Sequence, residues 1–310
     1  MKKILFVLGG NDGEMEVIKN LLFSAGISFV QPEKSWGQKE FGPSDLGLNI
    51  AQKDVGSHYP GMGNPPKMVD TIEGEPFVVF VECGMKNWPE HADKPTVIDH
   101  HGERNGEAAS LTQVVACLKH LSARLVLDAK NSNLASYYGI TSADFAENYV
   151  IKIQTAINFS SATQRWMELV AANDARYISG MLAIGATQEE INQVRSFDRR
   201  AQGITPAQEV EADRAIAEKE VIGRLTVIHM YHSKTATVAD RMFGQHDQLL
   251  ILSGDGEANF YGDGALCAEL KQKFEGWNGG SGLGKSGENA YWGGCPKHEE
   301  LLDFIQQRLG

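Results

Sequence analysis

The stretch PTVIDHH, residues 95–101, decides the fold, because a short apolar strand ends there in three polar residues. Two further apolar runs have the same form. KILFVL (3–8) leads into GGNDGE, and FVVFVEC (77–83) carries Glu82 near its end. Parallel strands place such polar ends at one edge of a sheet, which is where α/β folds bind their ligands.

Segments with apolar residues at helical spacing lie between and after these strands. They are EMEVIKNLLFSAG (14–26), EAASLTQVVACLKHL (107–121), and the regions at about 142–172 and 187–202. Strands that alternate with helices predict an α/β fold whose N-terminal domain is a doubly wound, mostly parallel sheet. Residues 33–75 are irregular and rich in Gly, Pro, Ser and Asn, which favours a functional lid or an insertion.

The pattern changes after Gly223, where RLTVIHMYH, DQLLILSGD and EANFYGDG predict a smaller α/β domain. The preceding TPAQEVEADRAIAEKE (205–220) has Thr before Pro and early acidic residues, which favour a helix start. Because this helix is polar nearly all round, we expect it to be an exposed connector. The predicted organisation is therefore an N-terminal domain at 1–202, a helical linker at 203–222 and a C-terminal domain at 223–310.

Composition and charge exclude several classes of protein. The 310 residues carry a net charge of −11, whereas a protein that coats long nucleic acids needs a basic surface for the phosphates. The four cysteines are scattered without a C-x-x-C pair, which is typical of a reducing cytoplasm and gives no zinc motif. No apolar stretch approaches the ~18–20 residues of a membrane span. We expect a cytoplasmic protein without membrane contact.

Carboxylates and histidines gather at the predicted strand ends and in the helical stretch VAANDARY. Oxygen and imidazole ligands suit manganese or magnesium, and two ions about 4 Å apart can clamp both oxygens of a phosphoryl transfer. Taken singly, an Asp after a strand is more often a helix cap or a turn residue. Taken together with two adjacent histidines, the set predicts a metal site. Its members are Asp12, Glu14, Glu82, Asp99, His100, His101 and Asp174.

With these residues in place, VIDHHGERN resembles the signature of the DHH phosphoesterase superfamily, and the resemblance extends over nearly the whole chain. It implies an N-terminal DHH domain, a C-terminal DHH-associated domain and an active site in the cleft between them. It also implies one or two divalent ions, Mn²⁺ or else Mg²⁺. Members of this family hydrolyse phosphodiesters or phosphoanhydrides, and their substrates range from cyclic dinucleotides and short RNA to polyphosphate.

The resemblance implies a role for each matching residue. The metal ligands would be Asp12, Glu14, Glu82, His100 and Asp174. Glu82 stands where the family normally has Asp and would bridge two ions. His101 would contact phosphate or support the nucleophile, and Asp99 would orient His100.

The first acidic motif departs from the family pattern His-x-x-x-Asp-x-Asp. The segment here is Leu8-Gly-Gly-Asn-Asp12-Gly-Glu14, so a leucine stands where the family has a histidine ligand. Three interpretations stay open. The site holds one ion firmly and a second weakly, or it recruits another ligand such as Asp54 or His58, or it binds a phosphorylated ligand without turnover.

The segment GGSGLGKSG, residues 279–287, matches the P-loop pattern G-x-x-x-x-G-K-[ST]. A P-loop follows a buried strand and begins a helix, whereas this segment follows the polar helical stretch AELKQKFEGWN. The resemblance instead implies the glycine-rich loop of a DHH-associated domain, which closes over substrate. A plain surface turn is the alternative. The residues predicted to bind substrate are Arg176, Asn278, Gly279, Gly280, Ser281 and Lys285.

These features together predict a hydrolase. It would be a divalent-metal-dependent phosphodiesterase or phosphatase in which metal-activated water attacks a small nucleotide or a short oligonucleotide. The alternative is a DHH protein that senses a phosphorylated ligand or serves as a subunit of a complex. The sequence leaves homodimer formation open.

Overall fold

The computed structural model describes residues 4–32, 40–41, 77–85, 95–101, 104, 106–130 and 143–310. The chain divides into two compact units, Met1–Ala201 and Gln202–Gly310. In both units the described residues combine strands with helices, which confirms the predicted α/β fold class. None of the helices in these ranges is long and apolar enough to cross a membrane.

A four-stranded sheet forms the centre of the first unit, and its strand pairings are all parallel. In spatial order the strands are β2 (Ser28–Val30), β1 (Ile4–Leu8), β4 (Phe77–Val81) and β6 (Thr96–Ile98). A separate parallel pair joins β3 (Glu40–Phe41) to β5 (Gly84–Met85). Backbone hydrogen bonds continue the main ladder past the strand ends, from Gly9 N to Val81 O (2.9 Å) and from Glu82 N to Ile98 O (2.8 Å). The segments that follow β1, β4 and β6 therefore lie side by side.

Five helices of the described part belong to this unit: α1 (Gly13–Ser24), α2 (Ser110–Lys130), α3 (Ala143–Ile157), α4 (Ser161–Ala183) and α5 (Gln188–Ala201). Their apolar faces pack with one face of the sheet in a single core that includes Met15, Ile18, Phe6 and Leu118. Each such side chain contributes about 1.5–3 kcal/mol when it is fully buried. The period-2 alternation of the strands sends Leu5, Val7, Val78 and Phe80 into a smaller cluster on the opposite face.

Helix α4 is kinked in its second half. Arg176 (φ −147°, ψ 21°) and Tyr177 (φ 57°, ψ −150°) have non-helical backbone angles. The kink brings the chain so close to itself that a Cβ on Gly180 would lie 2.2 Å from the carbonyl oxygen of Ala172. A straight helix would separate residues eight apart by about 12 Å along its axis. Gly180 is therefore required by the kink.

The second unit is built on a six-stranded mixed sheet. Its spatial order is β11 (Trp277–Gly279), β12 (Asn289–Gly294), β10 (Ala258–Asp263), β9 (Gln248–Ser253), β8 (Leu225–Met230) and β7 (Glu220–Ile222). The pair β8 and β9 is parallel, and the other neighbours are antiparallel. Trp292 is fully buried in the core between this sheet and two of the helices, so it is a packing residue.

Four helices accompany this sheet: α6 (Pro206–Ala217), α7 (Ala236–Met242), α8 (Gly264–Phe274) and α9 (His298–Leu309). Helix α6 begins with a capping box in which Thr205 and Gln208 exchange hydrogen bonds, as the Thr-Pro start favoured. It is not exposed all round, however. Ala212 and Ala215 are buried against Ile228 in a cluster of the second unit. Small alanines supply this contact face, which a polar sequence does not reveal.

We expect Gly180→Ala to lower the melting temperature by several degrees, because the new methyl group would overlap the Ala172 carbonyl. Overpacking of this kind costs roughly 1–3 kcal/mol, and each kcal/mol corresponds to about 2–4 °C in a domain of 150–250 residues. Gly106→Ala is the matched control, since a Cβ there meets nothing within 4 Å. Thermal unfolding followed by circular dichroism measures both. Equal melting temperatures for the two variants would contradict the kink.

Candidate metal centre

The segments that follow β4 and β6 carry the acidic and histidine residues of this site. Glu82 directly follows β4, and His100 lies two positions after β6. Glu82 has a left-handed backbone with φ 55°. Such a conformation costs a non-glycine residue about 1–3 kcal/mol and tends to occur at functional sites. The strain therefore falls on a residue that the sequence predicts as a metal ligand.

His100 is the buried centre of the cluster, with 6 % of its side chain exposed. Its Nε2 lies 2.7 Å from Oδ2 of Asp174. On the other side of the ring, Nδ1 lies 3.2 Å from Oγ of Ser110 and 3.7 Å from Oε1 of Glu82. Burial acts to lower the pKa of His100, but the contact with Asp174 and the nearby carboxylate charges outweigh it, so the pKa is raised. The surroundings thus favour positive charge at this point.

Four side chains offer ligand atoms that all lie within 4.8 Å of one another, namely Glu82, His100, His101 and Asp174. The contact between His100 and Asp174 is short but lacks hydrogen-bond geometry, and Oε1 of Glu82 has no hydrogen-bond partner either. A buried polar atom left without a partner costs about 1–3 kcal/mol. Three such atoms in one cluster are explained if a cation binds there. Carboxylate and imidazole groups are metal ligands, so these four residues could hold a metal ion.

Asp12 and Glu14 stand at the start of α1. The Oδ1 of Asp12 accepts a hydrogen bond from Met15 N (2.8 Å) and caps the helix. Glu14 is buried, and its Oε1 accepts a hydrogen bond from Leu111 N at 2.9 Å, whereas its Oε2 has no partner. One oxygen of each carboxylate therefore serves the protein backbone. A ligand role for the other oxygen stays a prediction.

These two carboxylates are electrostatically linked to the cluster. Burial raises the pKa values of Asp12 and Glu14 well above their usual range, and the charges of Asp174 and Glu82 raise them further. Burial also raises the pKa of Glu82, and the charge of Asp174 adds to this effect. The charge of Asp174 thus disfavours the ionisation of three neighbouring carboxylates, and a bound cation would relieve that repulsion.

His101 is the more exposed histidine of the pair. Its Nδ1 lies 2.9 Å from Oδ1 of Asp99, and its backbone N–H donates to the same oxygen at 2.9 Å. When the Nδ1 proton of a neutral histidine is bonded to a carboxylate, Nε2 carries the lone pair and can accept a proton. The geometry therefore suits a proton acceptor, and the short distance to the other three residues also allows metal ligation.

Ser110 is a site residue that the sequence did not single out. It begins α2, is fully buried, and lies at Nδ1 of His100, the position that the sequence assigned to Asp99. The carboxylate of Asp99 contacts His101 instead. A small polar residue just before an apolar helical run was the only signal for Ser110, and many helix starts share it.

The remaining predicted residues fall in different places. Leu8, at the position where the motif resemblance would require a histidine, is fully buried in the apolar core. Arg176 is exposed at the kink of α4, two residues after Asp174. Asp54 and His58 lie outside the described residues, as does most of the 33–75 segment.

The glycine-rich segment belongs to the second unit, where it joins the antiparallel strands β11 and β12. This arrangement excludes a P-loop, which joins a strand to a helix. Several of its backbone N–H groups are also occupied within the chain: Gly284 N donates to Gly264 O (2.8 Å), and Gly287 N donates to the carboxylate of Asp263 (2.6 Å). Lys285 is exposed, with Nζ 3.3 Å from Glu288 Oε2. The substrate-binding role of Asn278, Gly279, Gly280, Ser281 and Lys285 stays a prediction.

We expect Glu82→Gln to raise the melting temperature of the metal-free protein and to reduce the stabilisation that Mn²⁺ gives. The amide keeps the shape of the side chain but removes one of the mutually repelling charges. Wild-type protein should gain about 2.7 kcal/mol when free Mn²⁺ is 100 times its Kd. Thermal unfolding with EDTA and with Mn²⁺ measures both effects. Glu168→Gln, on the exposed face of α4, is the control and should change neither. A Glu82→Gln variant with the full Mn²⁺ shift would contradict the ligand role.

Comparisons with known proteins give only distant similarity. No protein-family model matches the chain, and no curated protein matches it. Among solved structures, a pGpG-specific phosphodiesterase, PggH from Vibrio cholerae, is 14% identical with a TM-score of 0.34, over 98% of this chain and 97% of that chain. An uncharacterized protein from Helicobacter pylori G27 is 11% identical with a TM-score of 0.24, over 99% of this chain and 98% of that chain. At TM-scores this low, neither similarity supports a statement about the fold or the activity of this chain.

Proposed function

We propose that this protein is a divalent-metal-dependent phosphoesterase of the DHH type. Its substrate would be a phosphodiester or phosphoanhydride of a small nucleotide or a short oligonucleotide. The observation that carries the proposal is the cluster of Glu82, His100, His101 and Asp174, whose ligand atoms lie within 4.8 Å of one another. Phosphoryl transfer needs charge neutralisation and positioning more than it needs covalent chemistry, and a metal-binding cluster supplies both.

The DHH assignment is supported by where the motif lies. Asp99, His100 and His101 follow a parallel strand at its carboxyl end, and Glu82 follows the adjacent strand. Asp174 comes from a distant helix and meets His100 at 2.7 Å. Residues that are far apart in sequence thus come close together, which supports the proposal.

His100, Asp174 and Glu82 would hold the ion through Nε2, Oδ2 and Oε1, the buried atoms without hydrogen-bond partners. A bound Mn²⁺ or Mg²⁺ would supply Lewis-acid polarisation of the phosphoryl group and would lower the pKa of water. Asp12 and Glu14 would add negative charge that strengthens the affinity for a divalent ion. Ser110 fixes the ring of His100 through Nδ1.

His101 would move the proton. The carboxylate of Asp99 holds its Nδ1 at 2.9 Å, so Nε2 can take a proton from the attacking water. A bond then forms between the water oxygen and phosphorus, and the bond from phosphorus to the leaving oxygen breaks. The proton held by His101 passes to the leaving oxygen. The products are a phosphate monoester, or free phosphate, and an alcohol or a shorter phosphate.

A second function is favoured by one specific observation. Leu8 is fully buried in the core at the position where the family has a histidine ligand. The site would then hold fewer ions than a catalytic DHH site, and the protein would bind a phosphorylated ligand without hydrolysing it. Such a protein would act as a sensor or as a subunit of a complex.

We expect turnover of bis-(p-nitrophenyl) phosphate to require Mn²⁺ or Mg²⁺, to stop in EDTA, and to fall by at least about 100-fold in His100→Ala, because removal of a ligand disrupts the metal site. His229→Ala, an exposed histidine on β8, is the control and should retain full activity. Short RNA and DNA, cyclic dinucleotides and polyphosphate are then compared under the same conditions.

Two results would contradict the phosphoesterase proposal. Binding of these ligands without hydrolysis at any metal concentration would favour the sensor function. Hydrolysis that persists at the wild-type rate in His100→Ala would show that the cluster is not the active site.

We expect Lys285→Met to raise KM for an anionic substrate several-fold while kcat stays within a factor of about two, because a point charge that binds a distal phosphate contributes to ground and transition states alike. Lys297→Met is the matched control, since Lys297 also forms an exposed pair with a glutamate three residues later. Steady-state kinetics separates the two parameters. An unchanged KM in Lys285→Met would contradict the substrate-binding role of Lys285 and would favour a plain surface turn.

A further inference from the structure

Helix α5 carries a buried ion pair that the proposed reaction does not use. Arg195 and Asp198 are each 5% exposed, and one guanidinium nitrogen of Arg195 lies 2.7 Å from Oδ2 of Asp198. A buried ion pair stabilises a fold little, because the removal of both charges from water costs about as much as their attraction returns. Its presence next to the metal centre therefore calls for another explanation.

The first contact of this pair is with the start of α1. The Oδ1 of Asp198 accepts a hydrogen bond from the backbone N–H of Gly13 at 2.8 Å. Gly13 lies between Asp12 and Glu14, two of the predicted acidic ligands. A Cβ on Gly13 would lie 3.1–3.2 Å from atoms of Asp198, so the backbone here fits tightly against α5.

The second contact is with the kink of α4. The same guanidinium nitrogen of Arg195 donates to Oδ1 of Asn173 at 2.9 Å, and Asn173 directly precedes Asp174. The guanidinium also lies over the ring of Tyr177, 4.5 Å from its centroid. Tyr177 has the left-handed backbone that forms the kink. The side chain of Arg195 thus contacts Asn173 and Tyr177, which flank the segment 174–176.

We propose that Arg195 and Asp198 are positioning residues that fix the backbone carrying Asp12, Glu14 and Asp174, and that they thereby set the affinity for the divalent ion. The inference rests on the proposed metal site. Asp174 lies 2.7 Å from His100, and the helical path of α4 breaks two residues later, at Arg176 and Tyr177. The cation over the ring of Tyr177 and the bond to Asn173 oppose the return of α4 to a regular helix. The bond from Gly13 N fixes the start of α1 in the same way.

The test measures Mn²⁺ binding directly, by isothermal titration calorimetry on the full chain. Arg195→Met keeps the stem of the side chain and removes the guanidinium, and we expect it to weaken Mn²⁺ binding by about 10–100-fold, the usual effect of losing a residue that orients metal ligands. Asp198→Asn retains a carbonyl oxygen for Gly13 N and should weaken binding less than Asp198→Leu, which removes it.

The control is another arginine of this unit, whose ion pair joins α4 to α5. Arg165 of α4 binds Glu190 of α5 through two hydrogen bonds of 2.9 and 3.1 Å. Arg165→Met should therefore lower the melting temperature and leave the Mn²⁺ affinity unchanged. If Arg195→Met does not fold, as judged by circular dichroism, the comparison of Asp198→Asn with Asp198→Leu decides the question.

The outcomes separate this inference from the proposed function. Wild-type affinity in Arg195→Met, or equal affinity in Asp198→Asn and Asp198→Leu, would overturn the positioning role while catalysis stands. Equal losses of Mn²⁺ affinity in Arg195→Met and Arg165→Met would show that Arg195 and Asp198 have only a general structural role. The wild-type protein could bind Mn²⁺ and hydrolyse none of the substrates, while Arg195→Met binds Mn²⁺ more weakly. That result would support the inference and overturn the phosphoesterase proposal. A wild-type protein without Mn²⁺ binding would overturn both.

Discussion

Repulsion between buried carboxylates is the constraint on which the first unit depends. Asp174 raises the pKa values of Asp12, Glu14 and Glu82, in each case after the larger effect of burial. A protein under selection for stability alone would replace such groups with apolar ones or pair them with cations. Their retention at the carboxyl edge of a parallel sheet, with two histidines among them, is understood if the repulsion is balanced by a divalent ion. The same residues then lower the stability of the metal-free fold and raise its affinity for a metal ion.

The backbone around the cluster is strained in a corresponding way. Glu82 and Tyr177 are two of the three non-glycine residues with positive φ in the described chain, and both lie beside the site. Neighbouring contacts keep these conformations in place. Glu82 N is bonded to Ile98 O, while Gly180 permits the kink and Arg195 covers the ring of Tyr177. The strain therefore belongs to the local structure that places Glu82 and Asp174 near His100.

The residues that follow the strands could be predicted from the sequence, and the motif resemblance added Asp174 of α4, whereas the helix residues that support them could not be predicted. Apolar runs that end in polar residues specify β4 and β6, and a parallel sheet brings the ends of those strands together whatever the details. The hydrogen-bond partner of the His100 ring was harder to predict. Asp99 is adjacent in sequence, yet the hydroxyl group of Ser110, at the start of α2, lies 3.2 Å from Nδ1. Likewise, Arg195 and Asp198 resemble ordinary charged residues of a surface helix, and only the tertiary structure reveals their burial.

The glycine-rich segment matches a P-loop pattern in sequence, but its backbone joins two antiparallel strands. A phosphate cradle needs N–H groups that point at a ligand, whereas those of Gly284 and Gly287 are bonded within the second unit. The glycines themselves have a packing reason: a Cβ on Gly264 would overlap Gly282 O, and one on Gly282 would overlap Asn289 O. Close packing therefore accounts for part of this glycine content, while phosphate binding by Gly279 and Gly280 stays a prediction. Lys285 adds an exposed ammonium group to the segment. Its attraction for an anion is screened by salt and falls as the ionic strength rises. A role for this segment in binding an anion would then show itself as an affinity that falls as salt is added.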